Sequence, residues 1–351
     1  DVSVRRARFS AITPDEIRQA FGETTEIDFD LASAGEARQV IDLMWGASLT
    51  RFISLAARRG GSNILSVGRV QTPTLAMIVD REKEIEEFVS QQYWQLSLLT
   101  EKEGEEIEAR HATPRFCDKA EAERARDRTL PPLVVTGVKE GARIERAPVP
   151  LDTTGFIVAA ARLGFPAAGA MRLAEDLYMN GYISYPRTDN TVYPATLDLG
   201  GILKALSGTE FEEDVHWVST HRRPEPTRGK KSSTDHPPIH PASAATRQSL
   251  GEERWKIYEL VVRRFLATLS PDARWKTMKV NFEAGKEPYT ATGGQLVEQG
   301  WRKVYPYSSA TEYILPAMKI GEELPLKEVN LEEKETQPPA RFTQSKLIQK
   351  M

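Results

Sequence analysis

Cysteine is almost absent from this sequence: Cys117 is the only one in 351 residues. That excludes an intramolecular disulfide framework and a cysteine-built zinc site, and it fits a reducing compartment, read here as the cytoplasm. No run approaches the roughly 18 consecutive apolar residues of a membrane span, so no membrane partner is expected. Charge of one sign is not in excess either. The 47 basic and 50 acidic side chains leave a net charge of −3, so any nucleic-acid site must be local. A phosphate-cradling G-x-x-x-x-G-K-[ST] loop is missing. The opening Asp1-Val-Ser-Val-Arg-Arg-Ala-Arg has neither an initiator Met nor the apolar core of a signal peptide, which predicts a cut from a longer chain. What is present is a globular composition, 40% apolar, in a length that suits about two domains.

The first ninety residues alternate helical periods with polar breaks. Thr13-Pro14-Asp15-Glu16 opens a helix with a cap, a proline and early acids, and Ser33-Ala34-Gly35-Glu36 matches a capping box. Val40, Ile41, Met44, Trp45, Leu49, Phe52 and Ile53 then recur at helical spacing and predict a buried stripe. A third helix is expected over about 72–87. From Tyr93, and again over 133–138 and 275–326, the texture is that of strands, with a turn expected at Gly293-Gly294. Between the strand-rich stretches lies a helical block, about 152–269, with amphipathic runs at 153–163, 168–179 and 252–268. One domain therefore interrupts another. The stretch 219–234, rich in Pro, Arg and Lys, reads as a surface loop.

The most informative segment runs from Leu177 to Pro194. A helix gives way at Asn180-Gly181 to an extended stretch in which Tyr185 and Arg187 stand two apart. Such residues project to one side, so a phenol and a guanidinium face the same ligand. Phosphoryl transfer suits the pair. A tyrosine of ordinary pKa is a poor nucleophile and needs a cationic neighbour or a base, while a guanidinium matches phosphate geometry and stays charged. Spacing alone leaves the alternative of a plain turn open, because Tyr and Arg around a Pro are ordinary loop residues.

Beyond spacing, Gly181-Tyr-Ile-Ser-Tyr-Pro-Arg-Thr-Asp189 resembles the active-site signature of type IA DNA topoisomerases, G-x-I-[ST]-Y-x-R-T-D. The resemblance makes Tyr185 the nucleophile and Arg187 the phosphate-stabilising group, with Thr188 and Asp189 beside the DNA. Ser66-Val-Gly-Arg-Val-Gln-Thr-Pro73 is similar to the family's S-x-G-R-V-Q-[ST]-P segment, which implies strand contacts from Arg69 and Gln71. Ala37-Arg38-Gln-Val-Ile-Asp42 resembles its A-R-x-x-x-D helix; Arg38 and Asp42 share a face at i,i+4, so a structural ion pair stands beside DNA contact as a reading. Asp235-His236-Pro-Pro-Ile-His240-Pro241 is similar to H-x-A-I-x-P, which places His236 near the tyrosine, able to bond the phosphate or move a proton. His240 is expected in solvent or a turn. Thr153-Thr154-Gly-Phe and Ala174-Glu-Asp-Leu-Tyr178 also match, except that Glu175 stands where many members have Gln.

The resemblance implies an α+β multidomain fold, a toroidal core of helical domains and a strand-rich arch. Residues 1–90 are expected to be the first part of a helical cleft domain, 91–150 and 270–335 the two parts of the arch, 151–269 the helical domain with the tyrosine, and 336–351 the start of the returning cleft domain. It implies cleavage of one DNA strand through a 5′-phosphotyrosyl link, strand passage and resealing without ATP on single-stranded and negatively supercoiled DNA. Magnesium ligands are expected in a Toprim domain not represented here, so no metal is expected on this chain alone and its cleavage in isolation is expected to be impaired. Basic groups at Arg5, Arg6, Arg8, Arg58, Arg59, Arg222, Arg223, Arg228, Lys230 and Lys231 are candidate phosphate contacts. The alternative is a clamp that binds single-stranded DNA without cleaving it.

Overall fold

The computed structural model describes residues 2–233 and 236–351. Helix α1 (Pro14–Gly22) starts as expected, with the Thr13 hydroxyl accepting the Glu16 N–H. Helix α2 (Phe29–Ala56) starts ahead of the expected capping box, because the Asp28 carboxylate accepts the Leu31 N–H at 2.9 Å and Ser33 already lies inside the helix. Helix α3 spans Gln71–Glu86.

The apolar stripe of α2 has the expected helical course but is not buried: Trp45 is 61% and Phe52 69% exposed, and only Ser54 of the helix is buried. The whole chain exposes 21830 Å², against about 14,000 Å² for a compact monomer of this mass. Helical periodicity reports that one face is apolar; it does not supply the surface that covers it.

Strands β1 (Gln92–Lys102) and β2 (Glu105–His111), helix α4 (Lys119–Arg128) and strand β3 (Leu133–Glu145) follow. Then come α5 (Thr153–Arg162), α6 (Ala167–Met179), α7 (Leu199–Leu206), α8 (Glu212–His221), α9 (Arg247–Leu250) and α10 (Glu252–Leu269). Strands β4 (Ala273–Ala284), β5 (Glu287–Glu298), β6 (Glu323–Leu324) and β7 (Leu326–Glu335) and helix α11 (Gln344–Lys350) complete the chain. Among the described residues the seven strands form one antiparallel sheet in the order β6-β3-β4-β5-β2-β1-β7.

Alternation along β1 sends Trp94, Leu96 and Leu98 into the sheet's core, where α4 adds Ala122 and Ala125. Strand β3 pairs with β4 from Leu133 opposite Ala284 to Glu145 opposite Ala273, so the helical block is inserted between two partner strands. The expected turn at Gly293-Gly294 is not one. Both glycines lie inside β5, and the hairpin turns at Gly285 instead, with φ +65°. A Cβ at Gly293 would stand 2.7 Å from the Tyr313 carbonyl, and Gly294 exchanges backbone hydrogen bonds with Tyr313, so these glycines admit a crossing segment.

The helical block has its own core around α10, where Trp255, Tyr258 and Phe265 meet Phe156 of α5 and Phe211. Among the described residues no single helix is long and apolar enough to cross a membrane; α5 and α6 pass by composition only as a pair bent by 114°, and they bury Phe156, Ala160, Ala174 and Leu177 in this core. The end of the chain returns to α3, where Arg341 pairs with Glu82 at 2.7 Å and Arg81 lies over the Phe342 ring, and also reaches the helical block, where Gln344 accepts the Ala167 N–H at the start of α6.

Candidate active site

Helix α6 ends at Met179 with Asn180 as its cap, and the chain reverses through Gly181 (φ +76°). A Cβ there would meet the Ile12 carbonyl at 2.6 Å, so glycine lets residues 10–12 run alongside the next segment. The Tyr185 N–H donates to the Ser10 carbonyl at 2.7 Å. From 184 to 190 burial alternates residue by residue: Ser184, Pro186, Thr188 and Asn190 point inward, whereas Tyr185, Arg187 and Asp189 face outward. This is the period of extended chain, and it puts the phenol and the guanidinium on one open side.

The inward residues tie the loop down. Ser184 and His240 exchange hydrogen bonds, with Ser184 N–H donating to the His240 carbonyl and His240 N–H to the Ser184 hydroxyl. Thr153, first residue of α5, accepts the Thr188 N–H at 2.9 Å through its hydroxyl and donates to the Pro186 carbonyl. The Thr188 hydroxyl donates to the His236 carbonyl at 3.1 Å, and the Asn190 amide donates to the carbonyls of Ser233 and His236 at 2.8 and 3.1 Å. Thr188 is thus buried and set on the histidine segment, while Asp189 remains exposed.

These contacts bring His236 to the tyrosine. Its ring lies 4.6 Å from that of Tyr185, inclined by 50°, and its Nδ1 is 3.3 Å from the Ser10 hydroxyl. Tyr178, the last residue but one of α6, packs edge-on against Tyr185 from another side at 5.2 Å. Burial raises the Tyr178 phenol above its ordinary pKa, and Tyr185 and Glu16 add to the effect. Tyr185 itself keeps partial exposure between its two ring neighbours. Arg187 is 60% exposed, and Glu175 of α6 accepts its Nε and Nη2 donors on a single oxygen at 2.8 and 2.5 Å. Sequence reasoning missed Ser10 and gave Tyr178 and Asn190 no role beyond the helix leading into the loop and its polar turn. Tyr178 alone had a signal, being seven residues before Tyr185 on the helix that feeds the loop.

Asp42, Arg69 and Gln71 assemble elsewhere, around an open groove of about 360 Å³ between α2 and the start of α3. Asp42 pairs with Arg69 at 3.2 Å rather than with Arg38, and Gln71 donates to the Ser66 hydroxyl at 2.8 Å. Thr50 and Ser54 hydroxyls accept the N–H groups of Val67 and Leu65, which pins the glycine-bearing loop to α2. Arg38 is exposed on α2 and, like the tyrosine cluster, does not line this groove. In the basic loop, Lys231 pairs with Asp152 and Arg223 with Asp272. Residue 235 lies outside the described residues. Among those described, no group of three or more His, Cys, Asp or Glu side chains gathers to hold a metal ion.

His240 is not in solvent. It is 5% exposed beneath Tyr193, donates from Nδ1 to the Pro238 carbonyl, and is held by burial at a pKa of about 4. The unfolded chain binds this proton near pH 6.5 and the folded chain only near 4, so acid favours unfolding. Urea titrations are expected to show stability falling from about pH 6.5 towards 4 by a contribution on the order of 3 kcal/mol. His240→Gln should remove that part of the slope; an unchanged slope contradicts the assignment.

Residues 26–351 match the family described as DNA topoisomerase. DNA topoisomerase 1 of Archaeoglobus fulgidus is 47% identical over 100% of this chain and 52% of its own length. That of Thermoplasma acidophilum is 38% identical over 99% and 45%, and human DNA topoisomerase 3-beta-1 is 34% identical over 99% and 41%. The solved full-length topoisomerase I from Thermotoga maritima superposes with a TM-score of 0.79 at 25% identity, over 99% of this chain and 57% of that one. The chain belongs to the DNA topoisomerase family, in its type IA branch, and carries the α+β core of that fold. It spans about half the length of the curated relatives it matches.

Proposed function

We propose that this chain is the DNA-cleaving body of a type IA topoisomerase, with Tyr185 as the nucleophile. The observation that carries the reading is the partly exposed Tyr185 ring, held between Tyr178 and His236 on the same open side of an extended segment as Arg187. The phenolic oxygen attacks a backbone phosphorus; the P–O(Tyr185) bond forms as the P–O3′ bond breaks, and the 3′ oxygen leaves as a hydroxyl. Arg187 stabilises the charge on the phosphate, and His236 carries a proton between phenol and leaving oxygen. The phosphotyrosyl ester conserves the energy of the broken bond, so the 3′ hydroxyl reverses the step without ATP.

Arg38, Asp42, Arg69 and Gln71, with Asp189 at the tyrosine loop, line the path of a single strand, the basic loop adds phosphate contacts, and Thr188, buried beneath the loop, supports it from inside rather than touching the DNA. Residues 91–150 and 270–335 act as the arch, 151–269 as the tyrosine domain, and 1–90 with 336–351 as the cleft domain. The substrates are single-stranded and negatively supercoiled DNA, relaxed or decatenated in the cytoplasm. The magnesium implied by the family has no carboxylate cluster among the described residues, and we assign it to a Toprim domain in the intact enzyme.

Incubation with an oligonucleotide labelled at either end, followed by denaturation, tests the reading. A 3′-end label should stay with the protein and a 5′-end label leave on a fragment with a free 3′ hydroxyl. Attachment of the 5′-labelled piece, or reversible binding only, overturns it; the latter is the behaviour of a clamp.

A further inference from the structure

The contact that the proposed reaction does not use is the carboxylate on Arg187. Of the guanidinium's five N–H donors, Nε–H and one on Nη2 are taken by a single Glu175 oxygen, which leaves the Nη1 end and the other Nη2 hydrogen for a phosphate. Glu175 reaches Arg187 from the same helix that sets Tyr178 against Tyr185, and the two stand at i and i+3, on one face of α6. One helical face therefore governs both halves of the site. The pair is open to solvent, with the Glu175 side chain 42% exposed, so it adds little to folding. Its effect falls on the phosphate.

We propose that Glu175 is a positioning residue that sets how strongly Arg187 holds a DNA phosphate: it fixes which edge of the guanidinium faces the strand and offsets part of its charge. This rests on the reading of Arg187 as a phosphate-binding group. A reversible strand cleaver must release the resealed strand, and a half-neutralised arginine keeps the geometry of a phosphate fork while weakening its grip. Glu175→Gln keeps an acceptor for Nε–H and removes the charge. With Arg187 absent, nothing holds the exposed carboxylate at the site, and it turns into solvent.

The test is fluorescence anisotropy of a labelled single-stranded oligonucleotide with the 351-residue chain, its E175Q and R187A variants and the double variant, at 50 and 200 mM salt, each checked by thermal melting. E175Q is expected to bind about threefold or more tightly at 50 mM salt, with a smaller gain at 200 mM, and the gain should vanish in the R187A background. Unchanged affinity in E175Q, with R187A weakened, overturns the inference and leaves the role of Arg187 standing. A gain that persists in R187A also overturns it, because it shows plain repulsion of DNA by an acid. Unchanged binding in R187A removes the reading on which the inference rests.

Discussion

Tyr185→Phe is expected to reduce covalent attachment to a single-stranded oligonucleotide below detection while reversible binding stays within about twofold. The substitution removes one oxygen and no volume of consequence. The ring keeps its contacts with Tyr178 and His236, and the backbone keeps its hydrogen bond to Ser10, none of which uses the hydroxyl. Loss of the adduct is then loss of the nucleophile rather than of the fold. Tyr178 is the nearest substitute, but burial raises its pKa and leaves less phenolate at neutral pH. Tyr178→Phe should accordingly retain the adduct. A Tyr185→Phe chain that still attaches to DNA would place the chemistry on another residue.

Arg187→Ala carries the second large effect, a drop of about 10²- to 10³-fold in the rate of adduct formation, the range seen when one charge-stabilising donor is removed from a preorganised site. Arg187→Lys should restore only part of it, because an ammonium offers a point charge where the guanidinium offers a planar fork. Reversible binding should weaken far less, since one phosphate contact among several changes the salt dependence on single strands by a slope of only about 0.7. Single-turnover rates and equilibrium titrations on the same variants separate the two effects. Equal losses in both would make Arg187 a strand-binding residue only.

Much of this architecture is legible from local pattern. The cap of α1 and the spans of α3, α5, α6 and α10 depend on neighbours within a few residues, and they fall close to where the sequence puts them. The tyrosine loop is legible for the same reason: its alternating burial from Ser184 to Asn190 is a property of extended chain. What fails to read through is non-local. Gly293 and Gly294 look like a turn in one dimension, yet they exist to admit Tyr313 from elsewhere in the chain. Asp42 faces Arg38 along the helix but meets Arg69 across a loop. Asn190 looks like one more polar turn residue until the histidine segment, more than forty residues further on, is seen folded against it. Helix α4 is short, its buried face is made of alanines, and a stripe of alanines gives little hydrophobic contrast.

The α2 stripe illustrates a different limit. Its spacing specifies a helix with one apolar face, which is what forms, but the surface that would cover Trp45 and Phe52 is not among the described residues. Sequence pattern predicts the need for a partner surface, and only coordinates show whether it is met.

The most direct test is to let the chain react with a single-stranded oligonucleotide, digest the product with protease and nuclease, and sequence the nucleotide-bearing peptide by mass spectrometry. A phosphate ester on Tyr185, within the peptide containing Gly181 to Arg187, is the predicted result. A modified Tyr178, Tyr182 or Tyr193, or DNA retained with no modified peptide at all, would contradict the account.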